Sequence, residues 1–375
     1  MSVDFSFDED QRELRTIIAA FLERHATSQA VREAAEGDGF AAEQWGRLTG
    51  EMELTGLAVD PERGGAGATF VEVGIAIEEI GRTLLPVPYL STVTVAAVLS
   101  HICGDAEAAP LLGRIAGGAA AAVEFGDARP AAASEGEAAD GGDRSAGSAL
   151  HIKDDQVDGE VAVVDGVTAE IFILAGERAD ESVLVVVEAG APGVTVTPLA
   201  TLDQTRRQAQ VRLDGAPATV LATGADAIAG ARDLRSVAIA VESVGAAARA
   251  LDETVTYLKE RVQFGKPIGS FQALKHRCAD LATELEAARS TAYYATWAVD
   301  GAPEELPVVA PLAEAVAGAA LLHVAAESIQ MHGGIGFTWE HDAHMYLKRA
   351  KANELLAGGY RGVRRLVGER AGILG

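Results

Sequence analysis

The residues best suited to chemistry stand together between Arg261 and Gln272, in the stretch R-V-Q-F-G-K-P-I-G-S-F-Q. The guanidinium of Arg261 carries a permanent charge on forked donors that match phosphate oxygens. Phe264 offers a ring face, and Gln272 offers an amide. A proline and two glycines interrupt the stretch, which predicts a joint between two helices. We expect this joint to present a cation, an aromatic ring and an amide to an anionic ligand.

A second stretch, Q-M-H-G-G-I-G-F-T, runs from Gln330 to Thr338. Gln330 adds an amide, and Gly333 with Gly334 would end a helix and let a ligand approach backbone N–H groups. For the glycine pair alone, a plain helix C-cap is the favoured interpretation. For Arg261 alone, a solvated arginine stays an open alternative.

The joint needs two helices to position it. Apolar residues at spacings of three and four predict one helix from about Asp233 to Glu260. The following helix is predicted to begin at Ser270 as its N-cap and to carry Cys278 on its apolar stripe. A cysteine on such a stripe is expected to be a buried free thiol.

The two motifs together, R-x-Q-F-G-x-P-I-x-x-F-Q and Q-x-x-G-G-x-G-F-T, resemble the signature of the acyl-CoA dehydrogenase family. The string G-G-I-G-F-T-W-E-H-D-A-H-M-Y-L-K-R-A also looks like the actinobacterial-type branch that acts on bulky CoA thioesters and is often heteromeric. The resemblance implies FAD as cofactor, an acyl-CoA substrate, α,β-dehydrogenation, and an electron-transfer flavoprotein as electron acceptor. It implies that the matched positions contact the adenosine-diphosphate part of an FAD held by a neighbouring subunit of a homo- or hetero-tetramer: Arg261, Phe264, Gln272, Gln330, Gly333 and Gly334.

The reaction also needs a carboxylate base to remove the α-proton. The resemblance places this base at the position that matches Gly358 in many members and at the position that matches Arg235 in others, so both usual positions lack it. Glu242 lies among small and apolar residues and is the tentative base. The alternative is a buried glutamate paired with an arginine or facing a subunit interface. Glu340, after the glycine-rich turn, is interpreted as structural.

Helical patterns, then β-rich runs, then helices again predict an α+β, mainly α fold. We expect an N-terminal helical domain over 1–120, a small antiparallel β domain over 121–225 and a C-terminal four-helix bundle over 226–375. This is also the architecture that the resemblance implies. The glycine-rich loop at 56–67 lacks the Lys-Ser/Thr of a P-loop and is interpreted as structural.

A further departure from the family pattern lies in the middle domain. The loop that backs the flavin ring in the resembled family is replaced by A-V-E-F-G-D at 122–127. It runs into the low-complexity segment 126–150, which is interpreted as a mobile loop or weak strands. Two alternatives therefore stay open: a non-catalytic partner subunit that completes the FAD site of a homologue, and a flavin oxidase or monooxygenase on the same fold.

Composition limits the partners. The chain has 375 residues, 49% of them hydrophobic, and a formal net charge of −24, which argues against nucleic acid or an anionic membrane as partner. The acidic N-terminus shows no signal-peptide pattern, and no apolar run is long enough to predict a membrane span. The two cysteines and eight histidines show no disulfide or metal spacing. These features predict a soluble cytoplasmic protein without a metal site.

Overall fold

The computed structural model describes residues 6–125, 150–356 and 358–374. Most of the low-complexity segment therefore lies outside the described residues, as does Ala357 in the stretch that contains Gly358. Helices, strands and helices follow one another along the chain as predicted, so the fold is mainly α with a β sheet in the middle.

Six α-helices precede the first strand: α1 Glu9–His25, α2 Ser28–Glu36, α3 Ala42–Gly50, α4 Phe70–Thr83, α5 Tyr89–His101 and α6 Asp105–Ala116. The start of α1 follows directly from sequence, because Asp8 accepts from the backbone N–H of Gln11 at 2.8 Å and the Gln11 side chain accepts in return. Ile18 and Leu22 lie on the buried side of this helix.

Among the residues that the structure describes, eight strands form one sheet: β1 Ala121–Glu124, β2 Leu150–Lys153, β3 Gln156–Val164, β4 Ile171–Arg178, β5 Glu181–Glu188, β6 Val194–Leu199, β7 Gln208–Pro217 and β8 Thr219–Thr223. Their order is β6-β7-β3-β2-β4-β5-β8, and β1 pairs with β4. The predicted β runs are present, but the sheet is mixed, since both β1 and β2 pair with β4 in parallel. Parallel partners are distant in sequence, so alternation alone does not reveal them.

The C-terminal helices are α7 Ala225–Glu260, α8 Gln272–Gly301, α9 Leu306–His332, α10 Ala343–Leu356 and α11 Tyr360–Arg370. α7 begins at Ala225, eight residues before the start predicted from the apolar spacing near Asp233 and within one residue of the start expected for the helical domain over 226–375. The predicted N-cap at Ser270 is wrong. A 3-10 turn over Ile268–Ser270 precedes α8, whose N-cap is Phe271 without a side-chain cap.

The contacts divide the chain into two compact units. Unit 1 comprises 1–38, 69–85 and 236–375, and unit 2 comprises 39–68 and 86–235. The three domain boundaries expected from the sequence stay a prediction.

A buried charge cluster joins three helices of unit 1. Glu78 of α4 is fully buried, and it accepts from Arg15 of α1 at 2.6 Å and from the hydroxyl of Tyr293 of α8 at 2.6 Å. Arg289 of α8 is a further ion-pair partner. Burial of a carboxylate is tolerated here because guanidinium groups and a hydroxyl satisfy it.

Unit 2 is built on the sheet. Its apolar core contains Phe172, Val185 and Val211, all fully buried. The glycine-rich loop folds on itself, with the N–H of Ala66 donating to the carbonyl of Gly56 at 3.0 Å. A Cβ at Gly65 would lie 2.1 Å from the carbonyl oxygen of Val59, so the glycine permits a close backbone approach. These contacts agree with a structural role for the loop.

One helical segment, 306–337, is long and apolar enough to span a membrane by composition, with a hydropathy of 1.8 over its best window. That window is 61% buried inside the protein, which is typical of a core helix. Glu314 is buried within it and accepts from the hydroxyl of Ser236 at 2.8 Å.

Candidate functional site

The first motif forms a small hairpin between α7 and α8. Strands β9 (Val262–Gln263) and β10 (Lys266–Pro267) pair antiparallel around a two-residue turn, Phe264-Gly265. Both turn residues have positive φ, 52° for Phe264 and 76° for Gly265. This turn normally favours Asn or Gly at its first position, and a bulky residue there is strained.

The ring of Phe264 is 89% exposed, so core packing does not explain the strained phenylalanine. It contacts the ring of Phe271 edge-to-face at 6.2 Å, and the ammonium of Lys266 lies 4.4 Å from the centre of that second ring. An exposed aromatic residue at a strained turn position is a reason to infer a ligand or partner contact.

The polar groups of the first motif are also exposed. The Arg261 guanidinium and the Gln272 amide make no hydrogen bond or ion pair with any described residue. The surrounding segment 259–277 contains five lysines and arginines against a single acidic residue, Glu260, although the whole chain is strongly acidic. The hairpin is therefore a local positive surface that suits an anion.

The second motif ends α9 and forms a 3-10 turn over Gly333–Phe337. Gly333 caps the helix with a φ of 63°, as a helix C-cap requires, and a Cβ at Gly333 or Gly334 would meet no atom within 4 Å. Both glycines are exposed, and the side-chain amide of Gln330 has no partner among residues that the structure describes. The turn thus combines a plain cap with room for a ligand beside the backbone.

The two motifs lie at the same end of the helices in unit 1. The hydroxyl of Tyr257, near the end of α7, donates to the carbonyl of His332 at 3.3 Å. Near the start of α8, the thiol of Cys278 lies 4.0 Å from the sulfur of Met331. Sequence positions separated by about 70 residues are therefore brought together, and all six predicted flavin-contacting residues belong to this end.

A buried imidazole supports the second motif. His332 lies with its ring centre 4.4 Å from the ring of Tyr257 and 4.2 Å from that of His341. Its Nδ1 lies 2.7 Å from the carbonyl of Ser328, which assigns the proton to Nδ1 and leaves Nε2 unpartnered. Burial lowers the pKa of His332, and His341 lowers it further, so the ring is neutral near pH 7.

Glu242, the tentative base, lies in the middle of α7 and is 5% exposed. Arg349 of α10 donates to its Oε1 at 2.9 Å, and the amide of Asn353 donates to its Oε2 at 3.2 Å. Asn353 also donates to the hydroxyl of Ser243 at 3.1 Å. Glu242 therefore lies in a buried ion pair, the arrangement that the alternative interpretation describes, and its role as base stays a prediction.

Sequence reasoning did not identify the partners of Glu242. Arg349 and Asn353 are four residues apart, so both project from one side of α10. That spacing was the available signal, but it did not show which helix the pair faces. Gly81 of α4 packs closely against Glu242 of α7, since a Cβ at Gly81 would lie 2.7 Å from the carbonyl oxygen of Glu242.

Arg235, the other position where a base was considered, lies in unit 2. Its guanidinium carbon is 5.1 Å from the ring centre of Phe125, which is buried directly after β1. Arg232 donates to the carbonyl of Phe125 at 2.6 Å. Gly358, at the usual base position, has a φ of 68° and no side chain to take a proton.

No metal or disulfide enters the description of this site. Within the described ranges, no group of three or more His, Cys, Asp or Glu side chains is placed to hold a metal ion. Cys103 and Cys278 are both free, and Cys278 is half-buried rather than fully buried as predicted.

Comparisons with known proteins cover nearly the whole chain. Residues 8–119 match the family model "Acyl-CoA dehydrogenase, N-terminal domain", and residues 223–372 match "Acyl-CoA dehydrogenase, C-terminal domain". The acyl-CoA dehydrogenase IpdE2 of Mycolicibacterium smegmatis is 34% identical over 354 residues, which cover 93% of this chain and 95% of the relative.

Solved structures are also similar to nearly the whole chain. A variant of the Tcur3481-Tcur3483 steroid ACAD is 28% identical with a TM-score of 0.85, over 97% of this chain and 98% of that one. The ChsE4-ChsE5 complex from Mycobacterium tuberculosis is 26% identical with a TM-score of 0.84, over 99% of each chain.

Proposed function

Because this chain belongs to the acyl-CoA dehydrogenase family of FAD-dependent oxidoreductases, we propose that it works in the α,β-dehydrogenation of an acyl-CoA thioester as one subunit of an FAD-containing oligomer. The observation that carries this proposal is the exposed end of unit 1, where both motifs meet. There a guanidinium and two amides make no side-chain hydrogen bond or ion pair with any described residue, and the ring of Phe264 is exposed apart from its edge-to-face contact with Phe271, which suits groups that bind a ligand.

The residues at this end fit the adenosine-diphosphate part of FAD. Arg261 supplies charge for the diphosphate, Phe264 supplies a ring face, and Gln272 and Gln330 supply amides. The open space beside Gly333 allows backbone approach. A flavin bound there would supply an acceptor for the β-hydride of the thioester. Since these groups are exposed on this chain, the proposal places the flavin at a contact with a neighbouring subunit, in a homo- or hetero-tetramer.

The relatives support a finer substrate and partner proposal. One similar structure is described as a steroid ACAD. Both that structure and the ChsE4-ChsE5 complex are named as pairs of two different proteins. We extend this to a bulky CoA thioester, such as a steroid side-chain intermediate, and to a heteromeric assembly. Transfer of electrons to an electron-transfer flavoprotein and a cytoplasmic location complete the proposal.

For the α-proton, Glu242 is the proposed base, on the ground that it is a buried carboxylate of α7 and that Gly358 and Arg235 carry none. To act, it would have to accept a proton while Arg349 and Asn353 occupy one oxygen each.

The same contacts favour a second candidate function, a non-catalytic subunit that completes the FAD site of a homologous chain. Glu242 is occupied by Arg349, Gly358 has no side chain, and Arg235 packs over Phe125. In this version the chain supplies Arg261 and its neighbours, while the homologue supplies the base.

The test is the visible spectrum of the protein purified alone, with FAD counted per chain and with an acyl-CoA added. About one flavin per chain, bleached by the thioester and no longer bleached in Glu242→Gln, would support the self-sufficient enzyme. A colourless chain that acquires flavin only with a homologous subunit would support the second candidate. Flavin that is reduced and then rapidly reoxidised by oxygen alone would contradict both and indicate an oxidase or monooxygenase.

A further inference from the structure

A cluster of arginines covers the outer side of α11. Arg361, Arg364 and Arg365 follow the i, i+3, i+4 spacing that places side chains on one side of a helix. All three are exposed, whereas Tyr360 and Val363 are buried on the opposite side. We call the three arginines, together with Ile373 and Leu374, the arginine face.

The charges of these arginines contribute little to contacts within the described part of the chain. Arg361 and Arg364 make no side-chain hydrogen bond or ion pair with the part of the chain that the structure describes, and Arg365 meets only Glu369, at 3.1 Å. The first turn of α11 contains no acidic residue. Arginines near the positive end of a helix dipole destabilise the helix slightly, so helix stability does not explain them.

Exposed aliphatic side chains adjoin the arginines. The backbone N–H groups of Ile373 and Leu374 donate to the carbonyl of Gly368 at 2.8 and 2.9 Å, so the chain folds back over α11. Ile373 nevertheless stays 77% exposed and Leu374 49% exposed. Arginine with exposed aliphatic residues and without lysine is the composition of protein–protein interfaces rather than of ordinary surface.

A complementary face lies on α1. Glu9, Glu13 and Ile17 follow one another at intervals of four residues and therefore share one side of the helix, with Asp10 beside them. The three carboxylates are exposed without an ion-pair partner in the described ranges, and Ile17 is 52% exposed. Glu9 and Asp10 also complement the helix dipole, but Glu13 and Ile17 lie beyond the first turn.

Other exposed aliphatic residues outside the two motifs fit less well. Leu312 has only apolar or small residues three and four positions away on α9, Leu355 follows the paired Glu354, and Leu202 precedes the buried Asp203. Among the described residues, the α1 face therefore combines an exposed aliphatic side chain with unpaired carboxylates on one side of a helix. We call Glu9, Asp10, Glu13 and Ile17 the acidic face.

We propose that the arginine face of one copy of this chain docks against the acidic face of α1 of a second copy. The two faces have opposite charge and each includes exposed aliphatic residues, so ion pairs and apolar burial would form together. This contact uses neither motif and does not depend on the flavin chemistry. Because the proposed tetramer would also self-associate, charge reversal on the two faces tests the contact separately from the proposed function.

The test measures the mass of the purified protein by light scattering after gel filtration, over a range of protein and salt concentrations. Wild type should self-associate, and the association should weaken as salt rises. The variant R361E/R364E/R365E should raise the dissociation constant about tenfold or more. The exposed Arg178→Glu, on β4, is the matched control and should leave it unchanged.

Charge reversal on the acidic face completes the test. E9K/E13K should weaken self-association to a similar degree, and mixing it with R361E/R364E/R365E should restore assembly, because each reversed face then meets its complement. Restoration also shows that both variants are folded. A monomeric wild type, an unchanged mass in the arginine variant, or a mixture that stays dissociated would overturn the proposal. So would a variant that loses binding only to a homologous subunit.

Discussion

Two regions of unit 1 differ in the exposure and the hydrogen bonding of their polar side chains. At the motif end, Arg261, Gln272 and Gln330 are exposed and unpaired among the described residues. Around Glu242, the carboxylate is buried and both of its oxygens accept hydrogen bonds from α10. The side chains of the first region are open to solvent or to a ligand, whereas the carboxylate of the second is already satisfied by side chains of the chain itself. The comparison supports the proposed ligand-binding role of the first region and shows a buried ion pair in the second.

The strongest test of this difference is to remove one partner of the buried pair. In Arg349→Ala, Glu242 would remain buried without its guanidinium, and we expect the free energy of unfolding to fall by about 3–5 kcal/mol. Chemical denaturation measures the change. The control Arg365→Ala removes an exposed arginine and should cost less than about 0.5 kcal/mol. A loss as small as that of the control would show that the ion pair does not stabilise the fold.

The next effect concerns the close contact between α7 and α4. A Cβ at Gly245 would lie 2.1 Å from the carbonyl oxygen of Glu78. We expect Gly245→Ala to destabilise the protein by about 1–3 kcal/mol, because backbone must shift to admit the methyl group. Gly46→Ala, where a Cβ meets no atom within 4 Å in a helix, should instead be neutral or stabilising. Thermal unfolding of both variants measures the difference in stability. Equal midpoint temperatures would contradict the close packing of α7 against α4.

A smaller effect should follow pH. Burial lowers the pKa of His332, His341 and His344, so these rings stay neutral in the folded protein where the unfolded chain already binds protons. Their contribution is therefore complete above about pH 6.5 and is lost as pH falls below that value, by at most about 1.4 kcal/mol per pH unit for each ring. Denaturation at several pH values measures the slope.

The variant His332→Gln provides the comparison for the pH effect. It should reduce the slope below pH 6.5, because one of the three groups no longer titrates. An unchanged slope would show that His332 takes up its proton equally well in the folded and unfolded states.

The smallest stability change is expected at the motif end. Gly334→Ala places a methyl group where no described atom lies within 4 Å, so unfolding should change by less than about 0.5 kcal/mol. FAD affinity should nevertheless decrease, since the methyl group obstructs approach to the backbone. Flavin titration and denaturation of the same variant separate the two effects. Full FAD affinity would mean that the ligand does not approach this glycine.

The sequence predicted more about the motif end than about the surroundings of Glu242. The positions of Arg261 and Gly333 follow from breaks between helices, which proline and glycine mark locally. The partner of Glu242 comes from α10, more than 100 residues away, and its identity depends on how two helices pack. The parallel strand pairs were not predicted for a related reason, because partners that are distant in sequence leave no local signal.

The most direct test of the contrast is the FAD dissociation constant of the assembled protein in two variants, Arg261→Gln and Glu242→Gln, each with its unfolding curve. We predict that Arg261→Gln weakens FAD binding about tenfold or more, because a charged contact is lost, while stability is unchanged. Glu242→Gln should lower stability and leave FAD affinity within about twofold. If Glu242→Gln instead left stability intact and Arg261→Gln left FAD affinity intact, the assignment of the two regions would be wrong.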